Sequence, residues 1–447
     1  MTLLSFIIFL PAIFLGTLII HLIWPERNAL AMFLKFSLGI GLGLGISSIL
    51  YFLVLQIAPG RINTLTLQII LLIFLLAITF LRARKQNWKE FFLPSLSHLQ
   101  WALIGIAILA LFISALIYAN TIISRPQGEY DAWSIWNRAA RFIYRDPENW
   151  RATLSPDIAL FGHADYPLLV PLNVAWGWEA LENETLRVPM IQSALFTFST
   201  ILAMFSAIAL TRTIGQASLA SVVLMASPGF ILTGTNLTAD IPATYFIFAS
   251  CILMYLFFVR NDAALLVLSG FMAGLAGWSK NEGLLFIAIS PIALIIASPK
   301  NIGRSLLHYL AGLAIPLIII FYFKSIAPTN DLINSNISFI AKITDPSRYW
   351  MILKTLTPSL FRSDIIILLI YTAIMYKHPA PNSRQGIYAI VTLLLLQLLG
   401  YCAIYVVTPY DLAWHLSTSQ GRLILQILPL ELFLCFSISS DPESVFS

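Results

Sequence analysis

The chain has 447 residues, of which 59% are hydrophobic and 11% are charged, and its formal net charge is +5. Soluble domains carry about 25% charged residues, so this composition excludes a globular protein that is exposed to water on all sides. The apolar stretches are continuous, whereas the strands of a transmembrane barrel are alternating segments of about ten residues. We therefore expect an all-α, polytopic integral membrane bundle.

The apolar runs predict about thirteen transmembrane helices, since a helix needs roughly 20 apolar residues to span a bilayer. The predicted spans lie at 3–24, 29–58, 64–82, 99–120, 190–210, 216–235, 241–259, 263–279, 283–298, 305–323, 363–377, 385–407 and 421–438. The first four spans form an N-terminal membrane region (1–120), and the later spans form a membrane core (190–447). Between them, the polar segment 121–189 is expected to be a large loop that contains an interfacial helix.

Basic residues in short loops predict the orientation of the chain, because such loops face the cytoplasm. The loop after the third predicted span carries Arg82, Arg84, Lys85 and Lys89. Alternation from this loop places 121–189 outside, together with the connections at 236–240, 280–282 and 408–420. We therefore expect a multi-pass protein of a cell inner membrane or plasma membrane, with its polar clusters on the extracytoplasmic side.

The first polar cluster, Glu129-Tyr130-Asp131, follows the fourth predicted span. An acidic pair at the mouth of a helical bundle can act as a general base or bind a cation. Alternatively, Asp131 caps a helix predicted at 132–145 by accepting its first amide hydrogens. That helix is amphipathic, with Arg138 on its polar face, and such a helix suits the membrane interface, where arginines reach headgroup phosphates.

The second cluster is His163-Ala164-Asp165-Tyr166-Pro167. A histidine and an aspartate two residues apart can ligate a metal or orient an acceptor. A hydrogen bond within the loop explains the same pattern, so both interpretations stay open.

The third cluster, Asn236 to Pro242, places Asp240 at the start of a predicted span. Its carboxylate could bind a divalent cation or orient the acceptor. An ordinary N-cap ahead of Pro242 also explains this aspartate.

The fourth cluster, Lys280-Asn281-Glu282, lies between two apolar runs with almost no loop. In a functional interpretation, Lys280 is a cation that faces a bound phosphate. In a structural interpretation, Lys280 and Glu282 form a mutual ion pair, or the lysine reaches towards the interface.

A last polar stretch precedes the final span, with His415 and Arg422 seven residues apart. These two side chains can hold an anionic headgroup at the membrane surface. An interfacial belt of Trp414, His415 and Arg422 would give the same pattern.

Three segments in this order resemble the GT-C glycosyltransferase superfamily: Tyr130 to Trp136, His163 to Leu169 and Lys280 to Gly283. Within it, the chain is similar to a large bacterial membrane group related to the protein mannosyltransferases and the lipid A aminoarabinose transferase. The stretch from Asp411 to Arg422 is typical of one branch. The chain departs from the group in two respects, because Ala164 replaces a proline and about three extra helices precede the first large loop.

The resemblance implies transfer of a sugar from a polyprenyl-phosphate donor to an acceptor on the outer face of the membrane. It also implies a catalytic carboxylate in the first large outer loop, and Asp131 holds the matching position. The substrate-binding candidates are Glu129, Arg138, His163, Asp165, Tyr166, Asp240, Lys280, Glu282, His415 and Arg422. The expected partners are the donor, a lipid, glycan or protein acceptor, and membrane lipids, without nucleic acid. No cofactor is certain, and a divalent cation stays open.

The chemistry of sugar transfer is consistent with these residues. A base must take a proton from the acceptor nucleophile, and a carboxylate at the boundary between water and membrane can do so. The transition state resembles an oxocarbenium ion, and the departing lipid phosphate needs a cation such as Lys280, Arg422 or a loop arginine. We therefore expect a direct, inverting displacement with Asp131 as the base.

A transporter or lipid flippase is the main alternative function, since it also explains many spans and buried polar groups. Against it, the hydropathy shows no obvious two-fold repeat, which many transporters have. Apart from Glu431, the predicted spans also lack charges near their centres. A non-catalytic partner in a cell-envelope complex is a third alternative, which activity on a lipid-linked sugar would exclude.

Overall fold

The fold was analysed in a computed structural model, which describes residues 2–83, 95–159, 163–299, 301–329 and 339–445. The described residues fold into helices, and the β-pairing found among them is one isolated bridge between Tyr376 and Ser439. The predicted all-α membrane bundle is therefore confirmed.

The α-helices are numbered in chain order. They are α1 (Thr2–Ile7), α2 (Leu10–Ile23), α3 (Ala29–Ile57), α4 (Thr64–Ala83), α5 (His98–Ser124), α6 (Asn137–Arg145), α7 (Pro156–Ala159), α8 (Leu169–Leu181), α9 (Arg187–Thr211), α10 (Ile214–Ala226), α11 (Phe230–Thr235), α12 (Asp240–Arg260), α13 (Ala263–Ser279), α14 (Glu282–Ala297), α15 (Ile302–Ile326), α16 (Phe339–Ile343), α17 (Pro346–Leu360), α18 (Ser363–Ile374), α19 (Arg384–Val407) and α20 (Leu412–Ser437). A π-helical turn covers Ala132–Trp136, and 3-10 turns cover Trp150–Leu154 and Pro442–Val445.

Nine helices of the described part are long and apolar enough to cross a membrane: α1 with α2, α3, α4, α5, α9, α12, α15, α19 and α20. A tenth span results if α17 and α18, which meet at a bend of 67°, cross together. Helices α10, α13 and α14 are apolar but only 13, 17 and 16 residues long. Helix length alone therefore supports fewer spans than the roughly thirteen predicted from apolar runs.

The span predicted at 216–235 is not a single helix, because α10 ends at Ala226 and α11 begins at Phe230. Ser227 precedes Pro228, and a proline ring disfavours the helical conformation of the residue before it. Accordingly, Ser227 is extended (φ −63°, ψ 127°). Gly229 then takes a φ of +90°, a left-handed conformation that glycine adopts without steric cost.

The N-terminal helices are part of the same bundle as the later ones. Helices α2 and α3 approach so closely that a Cβ atom added at Gly43 would lie 1.8 Å from the carbonyl oxygen of Ala12. Small residues allow membrane helices to approach in this way. Helix α3 in turn packs against α8 and α9. The division of the chain after residues 120 and 189 stays a prediction.

The amphipathic helix predicted at 132–145 is present as the π-helical turn Ala132–Trp136 and α6. Its apolar face is buried at Trp136, Ala140 and Ile143 and packs against α8. Trp133, which the sequence places on the same face, is exposed, since the π turn changes the spacing of side chains around the helix. This segment supports Asp131, the residue directly before it.

Candidate active site

Asp131 and Arg422 form an ion pair that joins the segment after α5 to helix α20. Nη1 of Arg422 donates a hydrogen bond to Oδ2 of Asp131. The carboxylate makes no capping bond to the helix that follows it, so the capping interpretation of Asp131 is wrong. About one third of each side chain is exposed (31% for Asp131 and 35% for Arg422). A ligand can therefore reach both groups.

The backbone before Asp131 is fixed against the segment that leads into α12. The amide of Glu129 donates to the carbonyl oxygen of Asn236 over 3.2 Å. Gly128 has a φ of +73°, and a Cβ atom there would lie 2.4 Å from the same oxygen. This close approach places Asp131 near the start of α12, where Asp240 lies.

Asp240, Lys280 and Glu282 form a second group of charges, which is more deeply buried. Nζ of Lys280 lies 2.7 Å from Oδ1 of Asp240 and 2.8 Å from Oε1 of Glu282. The predicted ion pair between Lys280 and Glu282 is present, and Asp240 completes it. The N-cap interpretation of Asp240 is wrong, because Ala239 is the N-cap residue and the Asp240 carboxylate binds Lys280 instead.

The two groups meet at Asp240. Nη1 of Arg422 lies 4.0 Å from Oδ2 of Asp240, so the charges alternate in the order Asp131, Arg422, Asp240, Lys280 and Glu282. Such alternation is expected, because a buried charge is strongly unfavourable without a partner of opposite sign. Burial alone would lower the pKa of Lys280. The combined effect of the Asp240 and Glu282 carboxylates is larger, so the pKa of this lysine is raised. The lysine therefore stays charged at neutral pH. We call these five residues the charged network.

Three polar residues that are not among the predicted site residues support Asp240, either directly or through one another: Thr238, Gln426 and Tyr401. Thr238 donates to Oδ2 over 2.8 Å, and Gln426 of α20 donates to Oδ1 over 3.4 Å. Tyr401 of α19 donates in turn to Gln426 over 2.8 Å. Gln426 lies four residues after Arg422 in the chain, and only the fold shows that it faces Asp240.

A further polar group links Asp165 to the loop that carries Lys280. Nδ2 of Asn281 donates to Oδ2 of Asp165 over 2.8 Å, and Nζ of Lys324 donates to Oδ1 of Asn281 over 2.8 Å. Lys324 also lies 3.6 Å from Oδ2 of Asp165. These two partners of Asp165 therefore lie outside its own loop. Lys324 was missed, although a lysine directly after the predicted span 305–323 was a usable signal.

His163 and Tyr166 stack on each other beside the π-helical turn. Their ring centroids are 4.5 Å apart with an interplanar angle of 9°, and Trp136 lies 5.5 Å from Tyr166. Burial and the nearby carboxylates of Glu282 and Asp165 raise the pKa of Tyr166 well above its usual value. Its hydroxyl therefore stays protonated and can donate a hydrogen bond.

Three predicted substrate-binding residues make their contacts outside the charged network. Glu129 pairs with Arg125 over 2.5 Å, and both side chains are about half exposed. Arg138 donates to the carbonyl oxygen of Ile158 over 3.3 Å. The ring of His415 lies 2.8 Å from the hydroxyl of Thr408.

The residues considered for a divalent cation do not form a set of ligands. Asp240 binds Lys280, Glu129 binds Arg125, and His163 stacks on Tyr166. Within the described ranges, no group of three or more His, Cys, Asp or Glu side chains is placed to hold a metal ion.

Comparison with known proteins identifies a family over the middle of the chain. Residues 165–323 match the family described as dolichyl-phosphate-mannose-protein mannosyltransferase. No curated protein and no solved structure matches the chain. The matched region contains Asp165, Asp240, Lys280 and Glu282, whereas Asp131 and Arg422 lie outside it. The match covers less than half of the chain; it confirms the resemblance noted in the sequence and supports a membrane glycosyltransferase of the GT-C type.

Proposed function

We propose that this protein transfers a sugar from a polyprenyl-phosphate donor to an acceptor on the extracytoplasmic face of the membrane, with Asp131 as the general base. The observation that carries the proposal is the contact between Asp131 and Arg422. It places a partly exposed carboxylate and a partly exposed guanidinium side by side at the edge of the ion pairs that Lys280 forms with Asp240 and Glu282. Sugar transfer from a lipid phosphate needs these two groups together.

In the proposed step, the acceptor nucleophile forms a bond to the anomeric carbon while its proton passes to the carboxylate of Asp131. The bond between that carbon and the phosphate oxygen breaks, and its electron pair leaves with the lipid phosphate. A single displacement of this kind inverts the configuration of the anomeric carbon. The charge that develops on the phosphate is stabilised by a cation held in place beforehand.

Arg422 is the cation that we assign to the phosphate. Its Nε atom is buried and has no hydrogen-bond partner in the described part of the chain, so this donor can bind a phosphate oxygen once the side chain turns towards the phosphate. Arginine binds phosphate through paired, charge-assisted hydrogen bonds. A phosphate that draws Arg422 away would also release the carboxylate of Asp131. Donor binding would thus prepare the base.

Lys280 has a different function in this proposal. Its side chain is 5% exposed and already bound to two carboxylates. We therefore infer that Lys280 positions Asp240, and that Asp240 in turn positions Arg422 over the 4.0 Å that separates them. The interpretation of Lys280 as a direct phosphate ligand is less consistent with this burial.

The extracytoplasmic location is supported by the distribution of basic residues. Arg82, Arg212 and Arg260 lie at the ends of helices that are opposite to the charged network in the predicted topology. Short loops rich in basic residues stay in the cytoplasm. Arg84, Lys85 and Lys89, which contribute to this argument, lie outside the described residues.

The test of this function is transfer from a panel of radiolabelled polyprenyl-phosphate sugars by the protein in proteoliposomes. We expect label to pass from one donor to an acceptor extracted from the membrane or envelope. Labelled lipid that crosses the bilayer without any transfer would contradict the proposal and indicate a flippase.

A further inference from the structure

A groove of about 460 Å³ opens beside the end of helix α3. Gln56 from α3 lines one side, and Glu148, Asn149 and Arg151 line the other. Its volume lies within the range of small-molecule sites, about 300–1,000 Å³. None of these four residues belongs to the charged network.

A closed set of hydrogen bonds holds Arg151 in place. Its Nη2 atom donates to Oε1 of Gln56 and to the hydroxyl of Tyr322, each over 3.0 Å. The hydroxyl of Tyr322 donates to the same Gln56 oxygen over 3.0 Å. Within the described ranges, the other two nitrogen atoms of Arg151 make no hydrogen bond to the protein, so one side of the guanidinium is fixed and the other can bind a ligand.

The charges of the groove favour a neutral ligand over an anion. Glu148 and Arg151 are its charged lining residues, and their formal charges cancel. A guanidinium donates and a carboxylate accepts, and the oxygen of Asn149 is a further acceptor. The hydroxyl groups of a sugar ring offer both donors and acceptors to such a lining.

An aromatic layer connects the groove to the charged network. The ring of Phe52 lies 5.7 Å from that of Trp150, which lines the groove, 5.9 Å from Tyr322 and 5.2 Å from Trp278. Trp278 is two residues before Lys280 in the chain. A sugar in the groove would therefore not occupy the charged network, none of whose residues lines the groove.

We propose that this groove binds a sugar residue of the acceptor, so that the acceptor is a molecule that already carries a saccharide. This inference rests on the proposed sugar transfer and narrows its acceptor. The donor carries a sugar as well, but its phosphate belongs beside Arg422, which does not line the groove.

The experiment measures binding of methyl α-mannoside, methyl α-glucoside and methyl α-galactoside to the full chain in nanodiscs, by saturation-transfer NMR. We expect saturation of the ring protons of at least one glycoside. Arg151→Ala should weaken that binding about tenfold, which is the usual effect of losing a hydrogen bond to a charged group. Arg61→Ala, which removes an exposed arginine outside the groove lining, should leave it unchanged. Because Arg151 is exposed, its alanine variant should fold normally.

Competition with two other compounds tests whether the groove binds an acceptor sugar, an anion or the donor. Neither inorganic phosphate nor polyprenyl-phosphate mannose should displace the glycoside. Displacement by inorganic phosphate would show an anion site, and displacement by the lipid would assign the groove to the donor; either result overturns the proposal. So does the absence of saturation with all three glycosides, or equal binding by wild type and Arg151→Ala. Binding needs no turnover, so failure here is distinct from failure of the proposed sugar transfer.

Discussion

Arg422 of α20 binds the carboxylate of Asp131, although 291 positions separate the two residues in the chain. The same nitrogen of Arg422 lies 4.0 Å from Asp240 at the start of α12. One guanidinium thus connects the segment after α5, the last long helix and the region that matches the mannosyltransferase family. The proposed mechanism depends on this connection, because it places the base next to the cation that the leaving phosphate requires.

Replacing Arg422 with alanine should lower kcat by roughly a hundredfold or more, since a preorganised donor to the developing charge is lost. The KM for the donor should rise as well. Arg422→Lys keeps the charge without the planar, two-armed donor and should restore only part of the activity.

The control for this prediction is Arg187→Ala, which removes an exposed arginine at the start of α9. It should keep near-normal kinetics. Wild-type kcat and KM in Arg422→Ala would contradict the assignment of the phosphate to Arg422.

Replacing Lys280 with methionine should destabilise the protein by about 3–5 kcal/mol, because it leaves Asp240 buried without its nearest cation. Thermal unfolding in detergent micelles measures this effect. The double variant Lys280→Met/Asp240→Asn should recover part of the loss, since it also removes the unpaired charge. An unchanged melting temperature for Lys280→Met would show that the ion pairs do not stabilise the fold.

The stabilisation that Lys280 gives the fold should also depend on pH, and it should be lost only at high pH. Its pKa is raised in the folded state, so its stabilisation is fully present below the pKa of an unfolded lysine, about 10.4, and is lost above the folded value. The difference in melting temperature between wild type and Lys280→Met should be constant from about pH 6 to about pH 9 and should shrink above about pH 10. A difference that shrinks already below about pH 9 would contradict the raised pKa.

Replacing Gly128 with alanine should displace the segment that carries Asp131. The backbone there has a φ of +73°, and the added Cβ atom would lie 2.4 Å from the carbonyl oxygen of Asn236. A shift of about 1 Å in a reacting group can lower a rate roughly a hundredfold, so we expect a large loss of kcat with the protein still folded. Gly105→Ala is the matched control, because a Cβ atom at Gly105 of α5 meets no atom within 4 Å. Equal rates for the two variants would exclude this positioning effect.

The class of fold and the amphipathic helix could be predicted from the sequence, because both depend on local hydropathy. Continuous apolar runs need a membrane, and the spacing of Trp136, Ala140 and Ile143 defines one buried face. The break in the span predicted at 216–235 was also readable, since Pro228-Gly229 is a typical helix-breaking pair. The apolar run around it concealed that signal.

The partners of the charged residues could not be predicted in the same way. The local sequence around Asp131 and Asp240 is consistent with helix caps, and only the fold shows that each carboxylate binds a cation from another part of the chain. The position of Lys324 next to Asn281 likewise depends on the packing of α15 against α13 and α14. Long-range pairing of this kind has no signature in a single sequence.

The central claim, that Asp131 is the base, is tested most directly by the rate of a single turnover in proteoliposomes with an active donor. Asp131→Asn should lower that rate by about a thousandfold, within the range for loss of a general base, while donor binding is retained because Arg422 loses its competing carboxylate. Asp157→Asn, which neutralises an exposed carboxylate of the same polar segment, should react at the normal rate. A near-normal rate in Asp131→Asn would contradict the account and remove Asp131 from the mechanism.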